Sequence, residues 1–222
     1  MINNKSNVIC FIPARKGSAR IINKNLKKID GKSLVEITIR QALKSKIFKD
    51  IILSSNSNKI LKIGKKLNIT CIKRSEKNSQ DKSTTDDALL ETLSNYKNKY
   101  EFIVILQVTS PLRKILTIKS FVNYCLKNKI KCCLTVSEIL ENLSNPSNLF
   151  FSPLKKKRTR TQDKKPFLLE NGLIYFISKK NLFENKIMFG KKKWKIFVTD
   201  KYESIDINNR QDYNVCKKLY LK

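Results

Sequence analysis

Histidine is absent from this chain of 222 residues, and none of its six cysteines forms a Cys-x-x-Cys pair. A Ser-His-Asp or Cys-His catalytic arrangement therefore cannot be assembled, and the same absences exclude a structural zinc site. Cys10, Cys71, Cys132 and Cys133 lie in short apolar runs, where a free thiol behaves as a small hydrophobic group that the cytosol keeps reduced. These features predict a cytoplasmic protein.

Glycine and proline are scarce, with five residues of each. Together with a hydrophobic content of 41%, this scarcity excludes the collagen-like and disordered classes and predicts a globular chain. The apolar run near the N-terminus is far too short for a secretory core or a membrane span, so we expect no membrane partner. The length suits a single domain over residues 1–222.

Acidic residues are also few: 18 against 47 lysines and arginines, a formal net charge of +29. Nucleic-acid binding is the obvious interpretation. Only eight of the basic residues are arginine, however, and the remaining 47 − 8 = 39 lysines are scattered along the chain. The scatter favours solvated surface charge, or a field that steers anionic substrates. A basic module that presents the run 155–160 to nucleic acid remains an alternative, although RNA-recognition and helix-turn-helix signals are missing.

Apolar runs alternate regularly with segments whose apolar residues recur at helical intervals. The predicted strands are 8–12, 50–55, 69–72, 102–106 and 132–136, and the predicted helices are 34–43, 59–67, 85–96 and 116–126. Short, mainly apolar strands that alternate with helices are typical of a parallel sheet buried on both faces. The chain is therefore predicted to form a three-layer, Rossmann-like α/β fold with a mostly parallel sheet.

The alternation stops after about residue 137. Residues 138–170 contain Pro146, Pro153 and the basic run, and are predicted to form an irregular arm or flap. Regular structure is predicted to resume with strands at 173–177 and 196–198 and a closing helix at 210–219.

Polar and cationic residues follow the predicted strands, at the sheet edge where open α/β folds bind ligands. The first such loop carries Arg15, Arg20 and Lys24, with the backbone N–H groups around Gly17 and Ser18, and this combination suits a chain of phosphates. The loop is not a Walker loop, so the segment 31–33 is interpreted as a turn and a helix start. Two later segments, 74–86 and 107–113, contribute further polar groups.

Five segments of the chain form an ordered set of motifs. They are Ile12-Pro13-Ala14-Arg15-x-Gly17-Ser18…Asn23-Lys24-Asn25-Leu26, Arg74, Gln107-x-Thr109-Ser110-Pro111-Leu112-Arg113, Asn171-Gly172-x-Ile174-Tyr175 and Ser204-Ile205-Asp206-Ile207. The chain resembles acylneuraminate cytidylyltransferases and their legionaminate and pseudaminate relatives over nearly its whole length.

The resemblance implies transfer of CMP from CTP to an acidic nine-carbon sugar, with Mg²⁺ as cofactor and a homodimer whose arm is 138–170. It implies nucleotide contacts from Arg15, Ser18, Arg20, Lys24, Asn25, Arg74, Thr85, Thr109 and Ser110. It implies sugar contacts from Gln107, Arg160, Asn171 and Tyr175. Arg15, Lys24 and Asp206 would be catalytic, with Asp206 as the metal ligand. The alternative acceptor is 3-deoxy-manno-octulosonate, which Arg20 keeps open.

Three positions depart from the family pattern: Ala19 where many members have lysine, Asn208 where a second aspartate is common, and Arg160 one residue from the usual arginine. Simpler interpretations also stand beside the functional ones. Ser110 and Pro111 would form only a turn, Tyr175 would belong to the core, and Asp81 and Asp86 would cap a helix.

Overall fold

A computed structural model describes residues 7–17, 20–80, 82–141, 143, 160–186, 188 and 194–221. Within these ranges the strands are β1 Val8–Pro13, β2 Lys28–Ile29, β3 Lys32–Ser33, β4 Asp50–Ser55, β5 Thr70–Lys73, β6 Phe102–Leu106, β7 Cys132–Ile139, β8 Phe167–Ser178 and β9 Lys195–Val198. The helices are α1 Leu34–Ser45, α2 Asn58–Lys66, α3 Thr85–Ser94, α4 Ile115–Lys127, α5 Lys179–Asn185 and α6 Arg210–Tyr220.

The described part of the chain builds one seven-stranded sheet in the order β5-β4-β1-β6-β8-β7-β9. The pairs β4–β5, β1–β4, β1–β6 and β7–β9 are parallel, and β8 is antiparallel to both of its neighbours. Every strand of this sheet except β8 therefore runs in the same direction. The predicted mostly parallel sheet is confirmed.

Alternate residues of β1 face two separate hydrophobic cores. Val8, Cys10 and Ile12 pack on one side with residues of α1, α2, α4 and α6. Ile9 and Phe11 pack on the other side with residues of α3 and α5. Because successive side chains of a strand point to opposite faces, this division requires helices on both faces of the sheet. The predicted three-layer α/β architecture is confirmed.

The sequence interpretation was wrong at both ends of the 138–170 segment. Strand β7 continues to Ile139 and β8 begins at Phe167, and Ser137 to Ile139 pair with Leu169 to Phe167 in an antiparallel ribbon. The leucines at 168 and 169 are both about half exposed, so this end of the ribbon lacks the apolar-in, polar-out alternation that identifies a strand from sequence. Within the predicted arm, residues 142 and 144–159 lie outside the described ranges.

Two smaller elements were not predicted. The β2–β3 hairpin turns at Asp30 and Gly31, which have φ of 49° and 71°, and Asp-Gly is a sequence signal for such a turn. Ser33 then caps α1 by accepting a hydrogen bond from the Glu36 N–H, which confirms the interpretation of 31–33 as a turn and helix start. Helix α5 follows β8 directly, with Ser178 as its cap. Across the described ranges, no helix combines the length and apolar character needed to cross a bilayer.

Candidate functional site

The carboxyl ends of the parallel strands β1, β5 and β6 open onto a cleft of about 180 Å³, which we call the cationic cleft. Its described lining residues come from the loops that follow these strands and from the start of α3. They are Pro13, Arg15, Gly17, Lys24, Asn25, Arg74, Ser83, Thr84, Thr85, Gln107, Val108 and Thr109. Seven of these residues were predicted to bind nucleotide or sugar: Arg15, Lys24, Asn25, Arg74, Thr85, Gln107 and Thr109.

Arg74 is the most informative residue of the cationic cleft. It follows β5, its backbone N–H donates to the Ser55 carbonyl at 3.0 Å, and only 5% of the residue is exposed. Its Nε is buried without a hydrogen-bond partner among the described residues. Burial lowers the pKa of Arg74, the carboxylate of Glu91 opposes that shift, and Arg15 adds to it. A buried guanidinium with an unmet donor suits an anionic ligand in this cleft.

Lys24 and Asn25 belong to a short 3₁₀ turn that folds the first loop back on itself. The Asn25 Nδ2 donates to the Arg15 carbonyl at 2.9 Å, and the Lys24 Nζ donates to the Ile207 carbonyl at 2.9 Å. Burial lowers the pKa of Lys24; Asp206 opposes that shift, whereas Arg20 and Arg15 reinforce it. The loop therefore gathers several cations at one end of the sheet, as phosphate binding requires.

Thr85 is the first residue of α3, whose N-terminus faces the cationic cleft. The helix is capped by Thr84 and Asp87, whose side chains each bond the backbone N–H of the other. Asp86 instead accepts a hydrogen bond from the Met188 N–H at 2.9 Å, and Asp81 lies outside the described ranges. A capping box is thus present at the start of α3, but Thr84 and Asp87 form it and Asp86 does not.

A second cleft of about 630 Å³ lies between the β7–β8 ribbon and the segment that leads into α6; we call it the acidic cleft. Its described lining residues are Ser137, Glu138, Ile139, Glu141, Leu169, Glu170, Asn171, Gly172, Tyr175, Lys201, Ser204, Ile205, Asp206, Asn208 and Asp212. Five of them are carboxylates. Lys201 is the single cation among the described lining residues, and it pairs with Glu141 at 3.1 Å. The cleft is thus locally acidic in a strongly basic chain.

The segment Asp206–Asn208 forms the wall between the two clefts. The Ile207 N–H donates to the Thr109 carbonyl at 2.9 Å, so this wall is fixed to the loop after β6. Asn208 accepts a hydrogen bond from Arg20 at 3.0 Å and donates one to Asp206 Oδ2 at 2.7 Å. The amide therefore links a cation of the first loop to the carboxylate predicted to bind metal.

The described residues contain no group of three or more His, Cys, Asp or Glu side chains arranged to hold a metal ion. Mg²⁺ nevertheless binds commonly through one or two carboxylates together with waters and substrate phosphates. Asp206 lines the acidic cleft and its charge acts on Lys24 of the cationic cleft, so its carboxylate is a candidate for such a role.

Two of the predicted sugar contacts face the acidic cleft in different ways. The Tyr175 hydroxyl donates to Glu170 Oε1 at 2.7 Å; burial, with Glu170 beside it, raises the pKa of the phenol. Asn171 is instead committed to the interior. Its Nδ2 donates to Ser137, Thr199 and Ser204, each at 2.9 Å, and its Oδ1 accepts from Thr135 and from the Leu173 N–H.

Two further predicted contacts, Ser110 and Arg160, line neither cleft. Ser110 is fully buried, and its Oγ has no hydrogen-bond partner in the part of the chain that the structure describes. The Arg160 side chain is 76% exposed and pairs with Asp163 at 2.8 Å, away from both clefts. Ser18 lies outside the described ranges. Arg160, the arginine predicted to contact the sugar, therefore does not line the acidic cleft in the described part of the chain.

Sequence reasoning included Thr84 only as part of the polar segment 74–86 and did not identify Glu170 as a cleft residue. The Thr84-x-x-Asp87 spacing of the cap was visible and would have placed Thr84 at the mouth of α3. Glu170 directly precedes the Asn171-Gly172 motif, but it carries no signal until β8 is known to start at Phe167.

Comparisons with known proteins bear on the family and the fold of this chain. A sequence model of a family described as "Cytidylyltransferase" matches residues 9–219. An N-acylneuraminate cytidylyltransferase of Streptococcus agalactiae serotype V is 32% identical over 213 residues, which are 92% of this chain and 51% of that protein. A pseudaminic acid cytidylyltransferase of Campylobacter jejuni is 28% identical over 222 residues, covering 96% of this chain and 95% of that protein.

The fold is shared with a solved structure of CMP:2-keto-3-deoxy-manno-octonic acid synthetase complexed with CTP. The TM-score is 0.73 at 15% sequence identity, over 97% of this chain and 99% of that one. The chain spans about half the length of the streptococcal relative. The family match covers all the strands of the sheet except one residue of β1, and from it we conclude that this chain belongs to the cytidylyltransferase family.

Proposed function

We propose that this protein transfers CMP from CTP to an acidic nine-carbon sugar and releases pyrophosphate. The observation that carries the proposal is the cationic cleft, where the buried Arg74 guanidinium leaves one N–H donor unmet beside Arg15 and Lys24. Each of these cations suits a phosphate oxygen, and together they suit a ligand with several adjacent negative charges.

The acidic cleft suits the sugar in a specific orientation. Sugar hydroxyls donate hydrogen bonds, and the carboxylates of this cleft, among them Glu170 and Asp206, accept them. The carboxylate of the sugar would be repelled there. It would instead point across the wall toward Lys24 and Arg20, where the charge is positive. The names of the relatives support this class of acceptor, because their own substrates are sialic and pseudaminic acids.

Mg²⁺ is proposed as the cofactor, with Asp206 as its protein ligand. A divalent cation bound to phosphate oxygens neutralises their charge. The acidic cleft supports a cation for a second reason, because it contains four further carboxylates and Lys201 is the single cation among its described lining residues. Lys24 and Arg20 offset part of this negative charge at Asp206. Asn208 would hold the Asp206 carboxylate in place through its amide.

The reaction needs no covalent enzyme intermediate. A hydroxyl oxygen of the sugar attacks the α-phosphorus, a new P–O bond forms, and the bond between the α-phosphorus and the bridging oxygen of the β-phosphate breaks. The hydroxyl proton leaves to water or to a carboxylate of the acidic cleft. Arg15, Lys24 and Arg74 hold the phosphates and the charge of the leaving pyrophosphate, which is catalysis by positioning and electrostatic stabilisation.

The decisive experiment measures pyrophosphate release with CTP, Mg²⁺ and a panel of acids. The panel contains N-acetylneuraminate, pseudaminate, legionaminate and 3-deoxy-manno-octulosonate; UTP, ATP and GTP serve as control nucleotides. We expect CTP-dependent release with at least one nine-carbon acid. Pyrophosphate release with 3-deoxy-manno-octulosonate alone would show that this acid, and not a nine-carbon acid, is the acceptor. No release with any acid, alongside salt-sensitive RNA binding, would favour the nucleic-acid alternative instead.

The mutation that tests the first loop is Arg15→Ala. Loss of a charge-assisted phosphate contact costs about 1.5–3 kcal/mol, so the KM for CTP should rise roughly 10- to 150-fold. If the Arg15→Ala variant has the kinetics of the wild type, Arg15 does not bind the phosphates of CTP.

A homodimer and a cytoplasmic location complete the proposal. The β7–β8 ribbon leads into the segment at 138–170 that was predicted to form an arm, and the acidic cleft lies against that ribbon. Light scattering at micromolar concentration should give the mass of two chains. The mass of one chain would refute the dimer and leave the activity untouched.

A further inference from the structure

Arg113 is a buried cation that the proposed reaction does not yet use. It is 2% exposed, and no carboxylate forms an ion pair with it among the residues that the structure describes. Taking a guanidinium out of water costs several kcal/mol unless its donors are satisfied. Here neutral oxygens accept the hydrogen bonds of the guanidinium. The role of Arg113 therefore depends on where those oxygens lie.

Three acceptors surround the Arg113 guanidinium. Its Nη2 donates to the Gln107 carbonyl at 2.6 Å, its Nε to the Leu173 carbonyl at 3.1 Å, and its Nη1 to Gln41 Oε1 at 3.1 Å. Gln41 in turn donates to the carbonyls of Pro111 and Arg113 at 2.7 and 2.8 Å. The Gln41 side chain on α1 thus fixes the Arg113 guanidinium. Arg113 in turn donates hydrogen bonds to the segments at Gln107 and Leu173.

Those two segments leave the same point of the sheet and serve different clefts. The last pair of the antiparallel β6–β8 ladder is Leu106 with Ile174. Gln107 and Leu173 are the next residues beyond that pair, so Arg113 bridges the strands where the ladder ends. From there Gln107 turns into the cationic cleft, whereas Gly172, next to Leu173, lines the acidic cleft.

We propose that Arg113 is a positioning residue that fixes the cationic cleft relative to the acidic cleft through the Gln107 and Leu173 carbonyls. The inference rests on the proposed CMP transfer. In-line attack requires the sugar oxygen and the α-phosphorus to meet at near contact distance, and a displacement of about 1 Å can lower the rate about 100-fold. A planar guanidinium with five donors can bridge three acceptors at once, whereas the compact ammonium of lysine cannot match that fixed fork.

The test uses Arg113→Lys in the full chain, because this variant keeps the charge and removes the planar bridge. The phosphate cations Arg15, Lys24 and Arg74 do not contact Arg113 among the described bonds. We therefore expect the Kd for CTP, measured by calorimetry, to stay within about threefold while kcat falls about 100-fold. The matched control is Leu182→Ala, which truncates a buried side chain of α5 at the opposite end of β8. It should lower the melting temperature and keep kcat, assayed well below that temperature, within about twofold.

A kcat for Arg113→Lys within about threefold of wild type overturns the inference, and so does a parallel loss of CTP binding, which would mean that the cationic cleft itself collapses. If Arg113→Lys does not fold, Gln41→Met takes its place. It removes the support behind Arg113 and keeps both carbonyl bonds, so kcat should fall about tenfold at unchanged CTP affinity; an unchanged kcat refutes the proposal. A wild-type protein without CMP transfer overturns the proposed function and this inference together, whereas an active wild type with an equally active Arg113→Lys overturns this inference alone.

Discussion

Replacing Arg74 by methionine should weaken CTP binding without lowering the free energy of unfolding of the ligand-free protein. Methionine keeps much of the apolar side chain and removes the cation. Arg74 Nε is buried with no partner in the described structure, so the ligand-free protein carries a polar group that costs about 1–3 kcal/mol. Glu91, the carboxylate that opposes the lowered pKa of Arg74, already accepts hydrogen bonds from the Ser75 N–H at 2.9 Å and from Asn78 at 2.8 Å. It remains satisfied when the arginine is gone.

The two effects of Arg74→Met have opposite signs. The free energy of unfolding without ligand should stay the same or rise by about 1 kcal/mol, because an unmet buried donor is removed. The free energy of CTP binding should weaken by about 1.5–3 kcal/mol, the value of a hydrogen bond to a charged group. Tight CTP binding at 100 times Kd adds about 2.7 kcal/mol of stability; a 100-fold weaker variant at the same concentration would gain only about 0.4 kcal/mol.

The assay is urea unfolding with and without CTP and Mg²⁺, with calorimetry for the Kd. Arg40→Met is the matched control, because Arg40 pairs with Glu36 on α1 at 2.8 Å and lines neither cleft. The control should bind CTP as wild type does. If Arg74→Met instead loses more than about 2 kcal/mol of ligand-free stability, or binds CTP within threefold of wild type, Arg74 has a structural role and the reasoning fails.

Other perturbations test the remaining parts of the site. Because the pKa of Lys24 lies below its ordinary value, its charge is lost as pH rises through that lowered value; the KM for CTP should therefore climb on the alkaline side, and Lys24→Arg should move the climb to higher pH. Asn171→Ala should reduce the free energy of unfolding in urea by about 2–3 kcal/mol, since it strips partners from buried hydroxyls; a change below 0.5 kcal/mol would refute the structural role. Asn208→Asp places a second carboxylate beside Asp206 and should tighten Mn²⁺ binding without CTP about tenfold by calorimetry; equal or weaker binding would exclude Asp206 as the metal ligand.

The regular part of the fold could be predicted because local patterns determined it. The run 102–106 is apolar throughout and the run 50–55 has an apolar centre, and both are strands of the same bounds in the structure. The same logic brought Arg15, Arg74 and Gln107 together, since loops that follow parallel strands meet at one sheet edge. Their roles toward nucleotide and sugar remain predictions.

The direction of a side chain could not be predicted in the same way. Thr109 and Ser110 are neighbours in one motif, yet Thr109 lines the cationic cleft and Ser110 is fully buried. Asn171 was expected to face the sugar, but its amide is used by hydroxyl groups 28 to 36 residues away in sequence. The contact of Arg20 with Asn208 spans 188 residues. Only the folded chain brings such partners together.

The net charge of the chain is a poor guide to its ligands because basic and acidic residues are concentrated in different clefts. Surface lysines dominate the total, and a field of this sign attracts any anion from a distance. At the site itself, Arg15, Lys24 and Arg74 line the cationic cleft. Five carboxylates line the acidic cleft on the other side of the wall. A polyanion such as RNA would be repelled at the acidic cleft, whereas the proposed CTP would need only the cationic cleft and would leave the acidic cleft for the proposed sugar and Mg²⁺. The boundary at Asp206–Asn208, more than the total of +29, therefore favours a small nucleotide over a nucleic acid as the ligand.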